Sequence, residues 1–238
     1  EMHLRAAVDL EQETPDAFYE LAYHFDAAGE SRRALPYALA AAENARAHHA
    51  LELAEEQFRI AERGASDDRH IRFRIASGLG DVLVLRGRYE EAARVAELAA
   101  KLAEGNLAKA RIEGKRGDLA FKQGNMRTAI EAIERALGLL GRHVPRWSFG
   151  YLLLLLWEAL VQGLHTLLPA LFVGRRPLRD AETELQVVRL HNRLTYAYWF
   201  GRGKIPCLWT HLRGMNLAER YPPTPELAQA YSIHAPVM

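Results

Sequence analysis

The chain contains a single cysteine, Cys207, among its 238 residues. No internal disulfide can therefore form, and the composition favours a reducing compartment in which Cys207 is a packed thiol. An excess of basic residues is also absent, because 31 lysines and arginines face 30 aspartates and glutamates. Domains that bind nucleic acid usually carry a clearly basic surface, so we expect no nucleic-acid partner for this segment. Residues Glu1 to Arg5 contain no apolar signal-peptide core, and we expect a cytoplasmic location.

Motifs that carry catalysis or metal binding are also missing. The sequence has no G-x-x-x-x-G-K-[ST] phosphate loop, no H-E-x-x-H pair and no C-x-x-C pair. His48-His49 is the densest pair among ten histidines, but neighbours on a helix point about 100° apart and do not converge on one ion. No acid/base pair, nucleophile or cofactor loop stands out. We therefore expect no catalytic residues, no metal site and no cofactor, and we interpret the chain as a protein without enzymatic activity.

Two windows of the sequence repeat each other at a spacing of 37 residues. Each window has a small residue in a first helix, a turn glycine and an alanine in a second helix: Gly80, Gly87 and Ala92, then Gly117, Gly124 and Ala129. A period in the mid-thirties with this layout indicates an all-α fold, an α-helical solenoid of antiparallel helix pairs. No window alternates with period two over the length of a strand, so we expect no β-sheet.

The repeats organise the rest of the chain. We expect one continuous domain, 1–238, because no linker or low-complexity tract divides it. Within it, the clearest repeats are 15–48, 73–106 and 110–143, an extra helix covers about 49–63, an apolar helix covers 149–173, and a weaker repeat covers 181–220. Thr14, Pro15 and Asp16 predict the start of the first helix. The sequence opens without methionine and stops just after a new helix begins, so we expect a piece of a longer polypeptide.

The paired windows resemble the tetratricopeptide repeat family. In that family a small residue of the first helix faces an alanine of the second, and a large apolar residue precedes the bend. These roles fall here to Gly80, Leu83, Ala92, Ala96 and Ala99, and again to Gly117, Ala120, Ala129, Ile133 and Ala136. The tryptophan that opens the family's first helix is replaced by Phe18 and Ala76, and the closing proline is missing. The resemblance covers roughly 14–141, and 181–220 loosely.

A closer likeness lies in Leu21 to Glu30 (LAYHFDAAGE) and Arg33 to Ala42 (RALPYALAAA). These segments resemble the repeat region just downstream of the P-loop ATPase module in bacterial multidomain regulators of the STAND type. The resemblance implies a non-catalytic scaffold or sensor arm that binds a protein or a ligand and controls the ATPase and its self-association. The alternative is a free-standing adaptor that binds a peptide in its concave groove. A helical enzyme is a third class, which the missing motifs disfavour.

The inner face of the repeats supplies the candidate binding residues. In the two clear windows these are Arg74, Ser77, Asp81, Arg111, Lys115, Asp118 and Lys122, and a later helix adds Asn192, Tyr196 and Trp199. This mixed polar and aromatic face suits a protein or peptide partner, although Asp118 stands where some relatives place an asparagine that binds a peptide carboxylate. The alternative is that these residues form an ordinary solvent-exposed surface with no binding role. The aromatic residues around Tyr196, namely Tyr198, Trp199, Phe200 and Trp209, belong either to the core or to the groove.

The leucine-rich segment Tyr151 to Leu171 has nearly the length of a membrane helix. Glu158, Gln162 and His165 form one polar stripe along it, and ionisable groups inside a bilayer are expensive. We therefore expect a helix buried between its neighbours, with Trp157 shielded from water. A surface for a partner and a membrane span are the alternatives, of which the membrane is the less favoured.

Overall fold

The structure of the protein is a computed structural model that describes residues 1–65, 67–145 and 147–237, with the backbone alone described at Ser148 and at 235–237. Within these ranges the chain forms thirteen α-helices and no β-strand. Helices that follow each other in the sequence pack in pairs. The predicted all-α arrangement of paired helices is therefore confirmed.

The described residues form two compact units, Glu1–Ala103 and Glu104–Met238. The first unit contains α1 (Met2–Glu13), α2 (Phe18–Ala27), α3 (Ser31–Ala47), α4 (Leu51–Gly64), α5 (Arg69–Leu85) and α6 (Tyr89–Leu102). The second contains α7 (Gly105–Lys122), α8 (Met126–Leu139), α9 (Ser148–Leu167), α10 (Pro169–Phe172), α11 (Glu182–Gly201), α12 (Lys204–Ala218) and α13 (Pro225–Val237). A short 3-10 turn, Leu178–Asp180, precedes α11.

In the first unit, α3 packs against both α2 and α4. The extra helix predicted at about 49–63 is therefore confirmed as α4, Leu51–Gly64. The predicted helix start at Thr14 is wrong. The Thr14 amide donates to the Leu10 carbonyl at 2.7 Å and closes α1, a helix outside the predicted repeats. Helix α2 begins only at Phe18.

Turn glycines join the helices of each predicted pair. Gly29, Gly87 and Gly124 have φ angles of 79°, 75° and 80°. This left-handed conformation is easily adopted by glycine and is strained for most other residues. The turns at Gly87 and Gly124 that the 37-residue spacing predicts are therefore confirmed, and Gly29 forms the same turn between α2 and α3.

The sequence predicts that the small residue of each first helix lies close to the alanine of the second helix. This prediction is confirmed for Gly117 in the α7–α8 pair and is wrong for Gly80 in the α5–α6 pair. A Cβ atom on Gly117 would lie 3.2 Å from the Ala129 carbonyl oxygen and 2.5 Å from Cγ1 of Ile133. At Gly80 the nearest atom to such a Cβ is Cγ1 of Val95, at 3.8 Å, and not an atom of Ala92. The α5–α6 pair is thus more loosely spaced at this glycine than the α7–α8 pair.

Enlarging Ala129 to leucine is expected to lower the free energy of unfolding by about 1–3 kcal/mol, because the site is fully buried and already in close contact with Gly117. Urea denaturation measures the change. Thr128→Leu, at the neighbouring exposed position, is the matched control and is expected to stay near the parent. Equal unfolding midpoints for the two variants would show that the α7–α8 packing is described incorrectly.

Helix α11 is the central helix of the second unit, since it contacts α7, α8, α12 and α13. Its buried side chains include polar ones. His191 Nδ1 lies 2.8 Å from the Thr210 hydroxyl, and burial, aided by nearby arginines, lowers the pKa of His191 to about 3. Cys207 of α12 is fully buried, and burial raises the pKa of its thiol to about 11, which makes it a packed thiol as predicted.

Candidate binding surface

Helix α9 turns its leucines outward, so the prediction of a buried helix is wrong. Trp157, expected to be shielded, is 57% exposed. Thirteen large apolar side chains between 147 and 172 are 38–78% exposed, and we call them the leucine face: Trp147, Phe149, Leu152, Leu153, Leu154, Leu156, Trp157, Leu160, Leu164, Leu167, Leu168, Leu171 and Phe172. The predicted single helix 149–173 is also interrupted. Leu168 leaves the helical conformation ahead of Pro169, as residues before proline tend to do.

The polar stripe of α9 explains this orientation. Glu158 is buried and accepts hydrogen bonds at 2.8 Å from both Arg213 and Asn216 of α12. Asn216 also donates to the Glu158 backbone carbonyl at 2.9 Å. A buried carboxylate is costly unless it is paired and hydrogen-bonded. Because the partners of Glu158 lie on α12, this side of α9 faces inward and the leucines on the opposite side face out.

A second buried polar contact fixes the other end of α9. His165 Nδ1 lies 2.6 Å from Oε2 of Glu219, and both side chains are buried. The other oxygen of Glu219 accepts from Gln162 at 3.3 Å and from the Tyr231 hydroxyl of α13 at 2.8 Å. Burial and the bond to Glu219 raise the pKa of Tyr231 to about 12. The whole predicted stripe, Glu158, Gln162 and His165, is therefore engaged with the protein.

The leucine face is large and carries no charge. At roughly 150 Å² for each large apolar side chain, its thirteen partly exposed members present on the order of 1,000 Å². The largest apolar patch on a typical monomer is about 300–600 Å². Glu158 and His165 are the only acidic, basic or histidine side chains in the sequence from 148 to 172, and both are buried. A patch of this size and composition marks an interaction site.

Helix α9 also meets the length and hydropathy of a membrane span. Among the described helices, only Phe149–Leu167 is long and apolar enough to cross a membrane. Within its most apolar 18-residue segment, 17% of the residues are buried. Length and composition are weak grounds for a span, because other kinds of apolar helix pass the same test. In this structure the polar side of the helix is occupied by α12.

The predicted inner-face residues of the first unit lie on α5, and two of them form ion pairs with α3. Arg74 pairs with Glu43 at 2.6 Å, and Asp81 pairs with Arg46 at 3.2 Å. Ser77 lies between them and is partly exposed. Arg74 and Asp81 therefore connect the first helix of the α5–α6 pair to α3, a contact that their spacing within one helix does not predict.

The predicted residues of the second unit differ in their surroundings. Arg111 pairs with Glu182, and Asp118 pairs with Arg193 of α11 at 2.9 Å. Lys115 is partly exposed and Lys122 is exposed. Asn192 is buried and donates to the Glu226 carbonyl at 3.1 Å. Its predicted place on the binding face is wrong, because α11 is covered by α13 at this point.

The aromatic cluster divides between core and surface. Tyr198 and Trp209 are buried in the core of the second unit, whereas Tyr196 and Trp199 are 44% and 43% exposed. Phe200 is exposed as well and its ring lies 6.3 Å from that of Phe121. Tyr198 and Trp209 are thus core residues, whereas Tyr196, Trp199 and Phe200 lie on the surface.

Among the described residues, no group of three or more histidine, cysteine, aspartate or glutamate side chains is placed to hold a metal ion. Comparison with known proteins adds no assignment. No protein-family model matches the chain, and no curated protein matches it.

Proposed function

We propose that this chain is a non-catalytic helical-repeat scaffold that acts by binding proteins, and that the leucine face is its main docking surface. The observation that carries the proposal is the outward orientation of the leucines on α9, with its polar stripe bound to α12. A side of the helix that neither faces water through polar groups nor packs on the protein requires a cover. The proposed occupant is the same face of a second copy of this chain.

The area and charge of the leucine face support self-association. A stable interface buries about 800 Å² on each partner, and the leucine face offers on the order of 1,000 Å². In a two-fold dimer the same patch meets itself. Because the face carries no charge, this arrangement brings no like charges together.

Two small residues within the leucine face let another helix come close. Ala159 and Gly163 are both exposed and are four residues apart, so they lie on one side of α9. No atom lies within 4 Å of the position that a Cβ on Gly163 would take. Small residues at this spacing allow helices to pack at short distance.

The dimer is tested by sedimentation equilibrium on the parent chain and two variants. Leu160→Glu puts a charge in the centre of the face and is expected to raise the dimer dissociation constant about a hundredfold, because an unpaired charge would be buried. Leu85→Glu is the matched control: Leu85 and Leu160 are both 57% exposed, but Leu85 lies in the first unit outside the leucine face. A parent chain that stays monomeric at 100-fold the concentration used for purification, or equal effects of the two variants, would refute self-association.

We further propose that the scaffold is the sensor arm of a bacterial signalling ATPase. This step rests on the resemblance of Leu21 to Glu30 and Arg33 to Ala42 to the repeat regions of STAND-type regulators. Pairing of two chains through α9 would then bring two ATPase modules together. A G-x-x-x-x-G-K-[ST] loop upstream in the same coding sequence would support the proposal, and a free-standing gene would favour an adaptor.

The adaptor alternative is supported by a different surface. Tyr196, Trp199 and Lys122 are exposed side chains of the second unit, and tyrosine and tryptophan are common anchors in interfaces. A peptide ligand whose binding is lost in Trp199→Ala and kept in Leu160→Glu would favour this function over the first.

A further inference from the structure

A cavity lies at the C-terminal end of α9, and one of its walls is apolar. Its volume is about 380 Å³, near the lower end of the roughly 300–1,000 Å³ of small-molecule pockets. Val161 and Leu164 of α9 and Leu171 and Phe172 of α10 form the apolar wall. Three of these four belong to the leucine face, so apolar surface continues from the cavity along α9.

The opposite wall of the cavity is basic. It is formed by Arg175, Arg176 and Arg220. The backbone holds these residues together, because the amides of Gly174 and Arg176 donate at 2.8 Å to the carbonyls of Glu219 and Arg220. The loop after α10 is thereby attached to the end of α12.

Positive charge in this wall exceeds the negative charge that faces it. Arg176 is bound to Glu184 at 3.1 Å. Arg220 is half-buried and forms no salt bridge within the described part of the chain, and the exposed Arg175 forms none there either. Burial, together with Arg176 and Arg213, lowers the pKa of the Arg220 guanidinium, while Glu184 and Glu158 oppose that effect only in part.

The remaining charged groups near Arg220 are already engaged. Arg213 is bound to Glu158 at 2.8 Å, and Glu219 is bound to His165, Gln162 and Tyr231. A partly buried guanidinium is stabilised by an anion that accepts its hydrogen bonds. None of the neighbouring carboxylates is available for that purpose.

From the two walls together we propose that this cavity binds an anionic amphiphile, with a carboxylate or phosphate head group on Arg220 and Arg175 and an acyl chain along Leu164 and Leu171. A simple anion would leave the apolar wall bare, and a neutral hydrocarbon would leave the arginines unpaired. The cavity shares Leu164, Leu171 and Phe172 with the leucine face. The proposed dimer, whose centre lies at Leu156 and Leu160 on the same helix, would therefore cover part of the apolar wall.

Calorimetric titration with decanoate tests the site in the purified chain. Arg220→Gln and Arg175→Gln are each expected to weaken decanoate binding at least tenfold. Arg179→Gln is the matched control, since Arg179 is exposed and does not line the cavity, and it is expected to stay within twofold of the parent. Decyltrimethylammonium, with the same chain and the opposite charge, is expected to bind at least tenfold more weakly than decanoate.

Equal decanoate affinity in Arg220→Gln and Arg179→Gln, or equal binding of the cationic amphiphile, would overturn the proposal. Arg175 is exposed, so its variant tests the site even if Arg220→Gln unfolds. Co-flotation with vesicles identifies the source of the ligand: binding to phosphatidylglycerol but not phosphatidylcholine vesicles, lost in Arg220→Gln, indicates a membrane lipid, and decanoate binding without flotation indicates a free amphiphile. Because the dimer would cover Leu164, Leu171 and Phe172, the titrations are repeated in the Leu160→Glu chain, whose altered residue does not line the cavity. Decanoate binding there that still depends on Arg220 supports the site whether or not the parent chain dimerises, and its absence there would overturn the proposal. Arg220→Gln is expected to leave the dimer unchanged.

Discussion

Replacing Glu158 with alanine is expected to lower the free energy of unfolding by about 3 kcal/mol. The substitution leaves Arg213 and Asn216 without their carboxylate partner at the contact between α9 and α12. Removing the buried carboxylate is costly because the partly buried guanidinium of Arg213 and the buried amide of Asn216 both lose a charged hydrogen-bond partner. Chemical denaturation, monitored by circular dichroism, measures the loss.

Glu131→Ala is the control for this change. Glu131 pairs with Arg127 at 3.7 Å, and both side chains are largely exposed, so its removal is expected to cost no more than about 0.5 kcal/mol. The double variant Glu158→Ala/Arg213→Ala is expected to lose less than the sum of the two single variants, because the unpaired guanidinium is then also removed. If Glu158→Ala unfolds at the same denaturant concentration as Glu131→Ala, the inward orientation of the polar stripe is incorrect.

Gly64→Ala is expected to destabilise the protein by about 3 kcal/mol, at the upper end of the usual cost of overpacking. A Cβ on Gly64, the last residue of α4, would lie 2.1 Å from the carbonyl oxygen of Ser31, the first residue of α3. That atom is backbone, so relief requires one helix to shift against the other. No rotation of a side chain can remove the clash.

Gly138→Ala gives the opposite expected result. Gly138 lies in α8 with no atom within 4 Å of the added Cβ. Alanine in a helix interior is favoured over glycine by up to about 1 kcal/mol, so this variant is expected to gain stability. Thermal unfolding of both variants beside the parent measures the two shifts, and a gain in both would contradict the described α3–α4 contact.

The paired-helix fold could be predicted because its signals are local in the sequence. Turn glycines such as Gly87 and Gly124 need only their own backbone conformation to be recognised. Helix α1 escaped prediction because it belongs to no repeat. Thr14 and Pro15 looked like a helix start, and only the bond from Thr14 to Leu10 shows that they end one.

The orientation of α9 could not be predicted from its own residues. Periodicity separates the polar side of a helix from the apolar side but does not say which of the two faces the protein. The deciding partners are Arg213 and Asn216 of α12 and Glu219 directly after it, which recur at three-residue spacing. The complementary polar residues of the two segments, Glu158 and His165 on one and Arg213, Asn216 and Glu219 on the other, are the sequence signal that could have given the correct orientation.

The binding residues were predicted with mixed success for a related reason. Residues such as Arg74 and Asp118 do lie on the first helices of their pairs, but the spacing within one helix does not reveal the ion pairs to the next. Asn192 was misplaced because α11 is packed on several sides, which its own sequence does not show. The basic wall of the cavity combines Arg175 and Arg220, which are far apart in the chain.

The dependence of α9 on α12 has a consequence for synthesis of the protein. About forty residues separate the end of α9 at Leu167 from the start of α12 at Lys204, and at roughly 5–20 residues per second a nascent chain needs seconds to complete α12. During that interval Glu158 has neither Arg213 nor Asn216 as a partner, and the side of α9 that α12 covers in the folded chain is open as well as the leucine face. A translational pause or a premature stop between the two helices therefore leaves α9 uncovered on both sides, a form that we expect to aggregate more readily than the folded chain.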